Sequence, residues 1–291
     1  MKSRACALAF VLIAYSVTVP VAPVRAAQEG KAKDAAARRR EAIDHYNQGV
    51  TLAGKGDTQK AEDEYRKAIK ADPTYAIAYN NLAVLLNDRG DTAGAEAAYK
   101  SAIEHDPHLF LAFLNLGRLQ YNTKQLQAAE ATLSQAVALL APPATSPLEQ
   151  AASKIPANGG SAEKKPDTQS MAEGYQLLGL TRAGLGMHAE AIKDYRRAIE
   201  LNPRDARIHH NLAISLLETG DEAGAIAEYR EAVRIDPKLA ESYFNLGVIL
   251  YRTHKNQEAI EAFKTFLQLQ PDSPQGAQVK EAIKEMEEDK E

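Results

Sequence analysis

The chain has 291 residues, 45% hydrophobic and 25% charged, with a formal net charge of −4. That mix excludes disorder throughout, and a pI near 6.0 without any concentrated basic surface excludes a typical nucleic-acid binder.

The first 26 residues differ from the rest. Lys2 and Arg4 precede an apolar run from Ala5 to Val19, and Val24-Arg25-Ala26 ends the segment with small residues. This is the arrangement of a secretory signal cut after Ala26. The run is shorter than the ~20 residues a membrane-spanning helix needs, so an uncleaved anchor is the weaker reading. Cleavage removes Cys6, the only cysteine. No disulfide, thiolate catalyst or cysteine metal site is then available. Residues 27–41 are Ala-rich and basic, with Lys31, Lys33, Arg38, Arg39 and Arg40. They are expected to form a solvated helix or tail; contact with anionic lipid is the alternative.

From residue 42 the chain repeats. Pro73 and Pro107 lie 34 apart, as do Pro203, Pro237 and Pro271. The same step relates Gly49, Ala83 and Gly117, then Gly179, Ala213 and Gly247. It also relates Ala61, Ala95 and Ala129 to one another, and Ala191, Ala225 and Ala259. Tyr65 and Tyr99 are echoed by Tyr195 and Tyr229. Within residues 76–109, Leu82, Leu85 and Leu86 give a first helix its apolar stripe, and Gly90-Asp91 supplies a C-terminal glycine followed by an N-cap. Ala95, Tyr99, Ala102 and Ile103 face inward from a second helix, which stops at Asp106-Pro107 because the residue before a proline is driven out of the helical region. A single hairpin of this kind cannot bury both of its apolar faces, so neighbours must stack.

In Tyr79, Leu82, Ala83, Gly90, Ala95, Tyr99, Ala102 and Pro107 this unit resembles the tetratricopeptide repeat, a 34-residue helical pair. The resemblance implies an all-α fold, an α-solenoid built as a superhelix of helix-turn-helix repeats. Two blocks of three are expected: 42–141, with repeats 42–75, 76–109 and 110–143, and 172–273, with repeats 172–205, 206–239 and 240–273. The third repeat departs from the pattern at Leu133 and Ala141, and the sixth at Phe266. Both end a block, where arrays tend to be irregular. Residues 142–171 read as a Pro/Gly/Ser linker, with a short helix near 147–154 capped by Ser146. The blocks resemble one another, "GDTAGAEAAY" against "GDEAGAIAEY", which suggests duplication. Residues 274–291 should form a capping helix, with Val279, Ile283 and Met286 on its apolar side, and an acidic tail.

No catalytic constellation can be assembled, and neither a cofactor nor a metal is expected. His45 and His209 occupy a slot held by aromatic residues in other repeats, so packing accounts for them. His105 and His108 straddle Pro107 in a turn, a poor geometry for a metal. Second-helix carboxylates such as Glu62, Asp63 and Glu64 read as a solvated face.

Asparagine remains. Asn47, Asn81 and Asn115 are 34 apart, as are Asn211 and Asn245, while the fourth repeat breaks the series with Leu177. The resemblance places this row along the inner, concave surface, where amides can bond the backbone of an extended peptide. Hydrogen bonding between neighbouring helices is the other reading of the same row. Tyr46, Val84, Arg118 and Tyr121 in the first block, and Phe244 and Arg252 in the second, lie within a turn of the row and would select the partner. Asn80, whose place is taken by Tyr46, Leu114, Gln176, His210 and Phe244 in the other repeats, is read as a selecting residue too. The expected function is a non-enzymatic scaffold or adaptor in the exported compartment, binding a protein or peptide in the concave groove. The alternative is a structural subunit of an envelope complex that docks through its outer helices or self-associates. No nucleic acid is expected, and membrane contact only through an uncleaved signal.

Overall fold

The computed structural model describes residues 21–140 and 166–288, with side chains from residue 33 onward. Residues 1–20 of the expected signal, most of the linker including the expected helix at 147–154, and residues 289–291 of the tail lie outside the described residues. Thirteen α-helices and no strand occur among those described. The first block comprises α1 (Val21–Gly54), α2 (Thr58–Ala71), α3 (Ala76–Asp88), α4 (Thr92–His105), α5 (Phe110–Asn122) and α6 (Leu126–Ala138). The second comprises α7 (Thr168–Gly184), α8 (His188–Leu201), α9 (Ala206–Glu218), α10 (Glu222–Ile235), α11 (Ala240–Arg252) and α12 (Asn256–Leu269), closed by α13 (Gly276–Glu288). Ala26 falls inside α1, which continues through the basic segment into the first repeat. In the second block α7 begins at Thr168, where Asp167 caps it by accepting from the Ser170 amide at 2.7 Å.

The turn inside each hairpin is set by one backbone position. Gly56, Gly90, Gly186 and Gly220 hold φ between 77° and 87° there, the left-handed region in which glycine carries no Cβ penalty. Asp57, Asp91 and Asp221 then cap the second helix by accepting an amide N–H three residues on. The third and sixth repeats put Lys124 (φ 63°) and His254 (φ 58°) at the left-handed position instead. Between hairpins Asp72, Asp106 and Asp236 are extended, as the following proline requires, and each accepts from the amide two residues ahead at 3.0 Å.

Each hairpin closes on a small residue. Ala61, Ala95, Ala129, Ala191, Ala225 and Ala259 are all 0% exposed, which brings the paired helices together. Three successive pairs of first helices touch, α3 on α5, α5 on α7 and α7 on α9, whereas among the described residues no comparable contact joins two second helices. The first helices therefore lie on the inside of the curve. The two blocks form one stack: α6 packs on α7, and Leu177 and Leu178 of α7 share a core with Phe110, Phe113 and Leu133.

Polar groups reinforce that junction. The Arg182 guanidinium donates to Glu130 Oε1 at 2.9 and 3.1 Å, to Ser134 Oγ at 3.0 Å and to Asp194 Oδ2 at 2.9 Å, tying α7 to α6 and α8. Burial, with Glu130 and Glu190 nearby, outweighs Arg182 and lifts the Asp194 carboxyl to about 6.

Glu62 departs from the solvated face expected of it. It is 7% exposed, and its two oxygens accept from Arg66 of the next turn and from Arg89 of the next repeat. The stacking of α3 over α2 covers it, and both arginines compensate its charge.

Candidate binding groove

The asparagine row lies on the first helices, as the periodicity requires, and its side chains reach across repeats. Asn81 Nδ2 donates to the Tyr46 hydroxyl at 3.2 Å, Asn80 Nδ2 to Asn81 Oδ1 at 3.0 Å and Asn115 Nδ2 to Asn80 Oδ1 at 3.1 Å. One hydrogen-bonded chain thus runs from the Tyr46 hydroxyl on α1 through three amides to α5. Asn80 is 4% exposed, so it is a buried link in this chain and cannot select a partner from the surface. Its side chain lies where α3 meets α5, and the two flanking asparagines satisfy it.

Two members of the row also meet a tyrosine from the preceding second helix. Asn81 bonds Tyr65, and Asn245 bonds Tyr229. Burial pushes Tyr229 up to about 12, against the opposing effect of that bond. The sequence keeps the pairing where the two positions vary: Asn81, Asn115, Asn211 and Asn245 follow Tyr65, Tyr99, Tyr195 and Tyr229 sixteen residues later, while Leu177 follows Leu133. A hydroxyl needs an amide opposite it, and a buried Leu133 needs an apolar partner. Asn47 lies on α1, before which no helix occurs among the described residues. It is exposed, and lines a shallow depression with Gln48, Thr51 and Leu52.

The neighbouring positions divide. Tyr46 is half-buried, with ring centroids 5.9 Å from Tyr65 and 5.5 Å from Tyr75. Val84 and Tyr121 are half-buried against the core, and Phe244 turns toward Phe263 and Phe266 at 6.3 and 5.1 Å. Phe266, the irregularity of the sixth repeat, is thus matched by Phe244. Arg118 and Arg252 are exposed and ion-paired, Arg118 with Glu173 across the junction at 2.9 Å and Arg252 with Glu222 at 2.7 Å. Asn245 and Arg252 meet in one pocket of about 270 Å³, shared with Ile214, Leu217, Tyr229, Val248 and Ile249.

The large exposed apolar side chains are concentrated here. Among the described residues they are Ile43, Val50, Leu111, Met187, Val248 and Tyr251, and all but Met187 lie on first helices within two turns of an Asn of the row. None lies on a second helix.

Both histidines of the aromatic slot bond a glutamate of their own hairpin, His45 to Glu64 at 2.6 Å and His209 to Glu228 at 2.7 Å. Burial of His209 opposes its charge, yet Glu228 holds the imidazole above its ordinary value. His105 stacks on Tyr79 at 5.4 Å. Among the described residues no three His, Cys, Asp or Glu side chains come together in a way that would hold a metal ion.

A curved stack of helical hairpins with its first helices inside defines a helical-repeat solenoid with an inner groove. Models of the tetratricopeptide repeat match residues 46–110 and 177–240, 86–144, and 240–273, and the chain belongs to that family. No curated protein matches it by sequence. Among solved structures it is similar to PilF of Pseudomonas aeruginosa, with 18% identity, a TM-score of 0.62, and coverage of 84% of this chain and 98% of that one. It is similar to YrrB, described as a TPR protein with an unusual peptide-binding site, with 21% identity, a TM-score of 0.59, and coverage of 75% and 97%. PilW, described as a widely conserved type IV pilus biogenesis factor, has 15% identity, a TM-score of 0.57, and coverage of 82% and 97%.

Proposed function

We propose that the protein is a non-enzymatic scaffold that holds an extended segment or helix of a protein partner against its first helices. The observation that carries this reading is that, among the described residues, five of the six large exposed apolar side chains lie on first helices. Apolar side chains left in water there gain by being covered, and docking a segment into a groove between helices is a standard mode of recognition. The second helices carry charged outer faces without exposed large apolar residues, which favours the groove over docking through the outer surface. We further propose export, from the signal-like residues 1–26. No helix of the described residues is long and apolar enough to cross a membrane.

The asparagines bond within the protein, so removing them would confuse stacking with recognition. The test therefore uses exposed positions. Val50→Lys and Val248→Lys each leave the core untouched and put a charge on the inner surface. Loss of partner capture from an envelope extract, with unchanged circular dichroism and melting, is expected. Capture equal to wild type in the double variant refutes groove binding.

A further inference from the structure

We infer that the pocket between α9 and α11 reads a two-residue signature in the partner: an aliphatic side chain next to a carboxylate. The inference rests on the groove reading above and names what one point of the groove selects. The pocket is walled by Ile214 and Leu217 from α9 and by Val248 and Ile249 from α11, with the hydrogen-bonded Tyr229 and Asn245 also lining it. At about 270 Å³ it is smaller than the ~300–1,000 Å³ of ordinary small-molecule sites. That size suits one side chain entering from a longer segment. Between Ile214, Leu217, Val248 and Ile249 a charged group would lose its hydration without a partner, so an aliphatic group is the favoured occupant there, while Arg252 supplies the one charge of the lining.

Arg252 is the only charged residue lining this pocket. Its present partner, Glu222, comes from α10, one repeat back, and both side chains are well exposed, 58% and 44%. An exposed pair of this kind is held weakly, and a guanidinium accepts a second carboxylate in its two-pronged geometry readily. A partner carboxylate beside the seated aliphatic residue would take Arg252 from Glu222, and Val248, 43% exposed, would be covered by the same residue. The corresponding positions elsewhere carry no cation: Gly54, Asp88, Asn122, Gly184 and Glu218 stand where Arg252 stands in the sixth repeat, so among the repeats this signature belongs to the α9–α11 site alone.

The test is an array of random 12-residue peptides probed with the full chain, followed by fluorescence anisotropy on the strongest binders and on versions with their acidic residue changed to Gln or Lys. Enrichment of aliphatic–acidic pairs is expected. Arg252→Glu should weaken those peptides by about tenfold, the order measured for close charge pairs at interfaces, and improve the Lys versions. Glu222→Gln should strengthen the acidic peptides severalfold by removing the competitor, which a merely structural role for the pair would not do. Peptides that bind and lose affinity with Val50→Lys and Val248→Lys, yet show no aliphatic–acidic preference and ignore both Arg252→Glu and Glu222→Gln, overturn this inference and leave the groove reading intact. Absence of any peptide binding that responds to the groove variants removes both.

Discussion

Replacing Asp194 by Asn tests the electrostatics of the block junction. Asp194 sits 2.9 Å from Arg182 with a side chain 9% exposed, and Glu130 shares the same guanidinium. Its carboxyl is lifted from 3.8 to about 6. The native state therefore holds a proton more firmly than the unfolded chain does, and stability supplied by this group is full below pH 3.8 and is lost as the pH rises through about 6. The full effect of such a shift is on the order of 3 kcal/mol, and about 2 kcal/mol of it falls between pH 4.5 and 7.5. Asparagine keeps an oxygen to accept from Arg182 and cannot ionise. The difference in unfolding free energy, variant minus wild type, should thus rise by about 2 kcal/mol from pH 4.5 to pH 7.5. Urea titrations of both proteins at the two pH values give this difference from the midpoints, provided m is unchanged. A difference that is the same at both pH values, or that falls toward pH 7.5, refutes the argument.

Arg182→Met leaves Glu130 and Asp194 without their common cation and should cost about 3–5 kcal/mol, visible as a separation of the two blocks into distinct unfolding transitions. Tyr229→Phe should cost about 1 kcal/mol in wild type and much less in an Asn245→Leu background, since the hydroxyl and the amide act as a pair; a double-mutant cycle measures the coupling. His209→Gln should lose stability at pH 5.5 and little at pH 8.5. The folded His209 binds its proton more tightly than the unfolded chain does, and that advantage disappears as the pH passes the raised value. Lys124→Gly and His254→Gly should each raise stability by up to about 1 kcal/mol, because both residues occupy the left-handed turn position that glycine fills in the other four repeats.

The repeat architecture was legible because its determinants recur at one spacing. Alanines at the close approaches, glycine at the left-handed turn, the aspartate cap and the Asp-Pro stop each appear several times over. What escaped the periodicity is the set of interactions made once. Arg182 reaches Glu130 and Asp194 across 52 and 12 residues of sequence, and its slot holds leucine in four of the other repeats and Gln120 in the remaining one. Glu62 looked solvated because the helix pattern gives its outward angle but not the neighbouring repeat that covers it. Asn80 misled for the same reason, since burial by α5 decides its role. One signal for the tyrosine–asparagine pairing was present in the sequence: the single break in the row at Leu177 coincides with Leu133 in place of tyrosine.

That coincidence bears on how such a groove works. An amide row that existed only to hold a ligand would have no reason to lapse where the helix behind it loses a hydroxyl. Asn81 and Asn245 instead spend part of their hydrogen-bonding capacity on the repeat before them, which fixes the spacing and orientation of the first helices. An Asn side chain has four hydrogen-bonding positions, so a clip to tyrosine leaves capacity for a partner's backbone. Geometry set by the clip and contact made by the exposed apolar residues are then separable. Substitutions in the clip should change stability and, through it, the shape of the whole inner surface, whereas Val50, Leu111 and Val248 should change affinity alone.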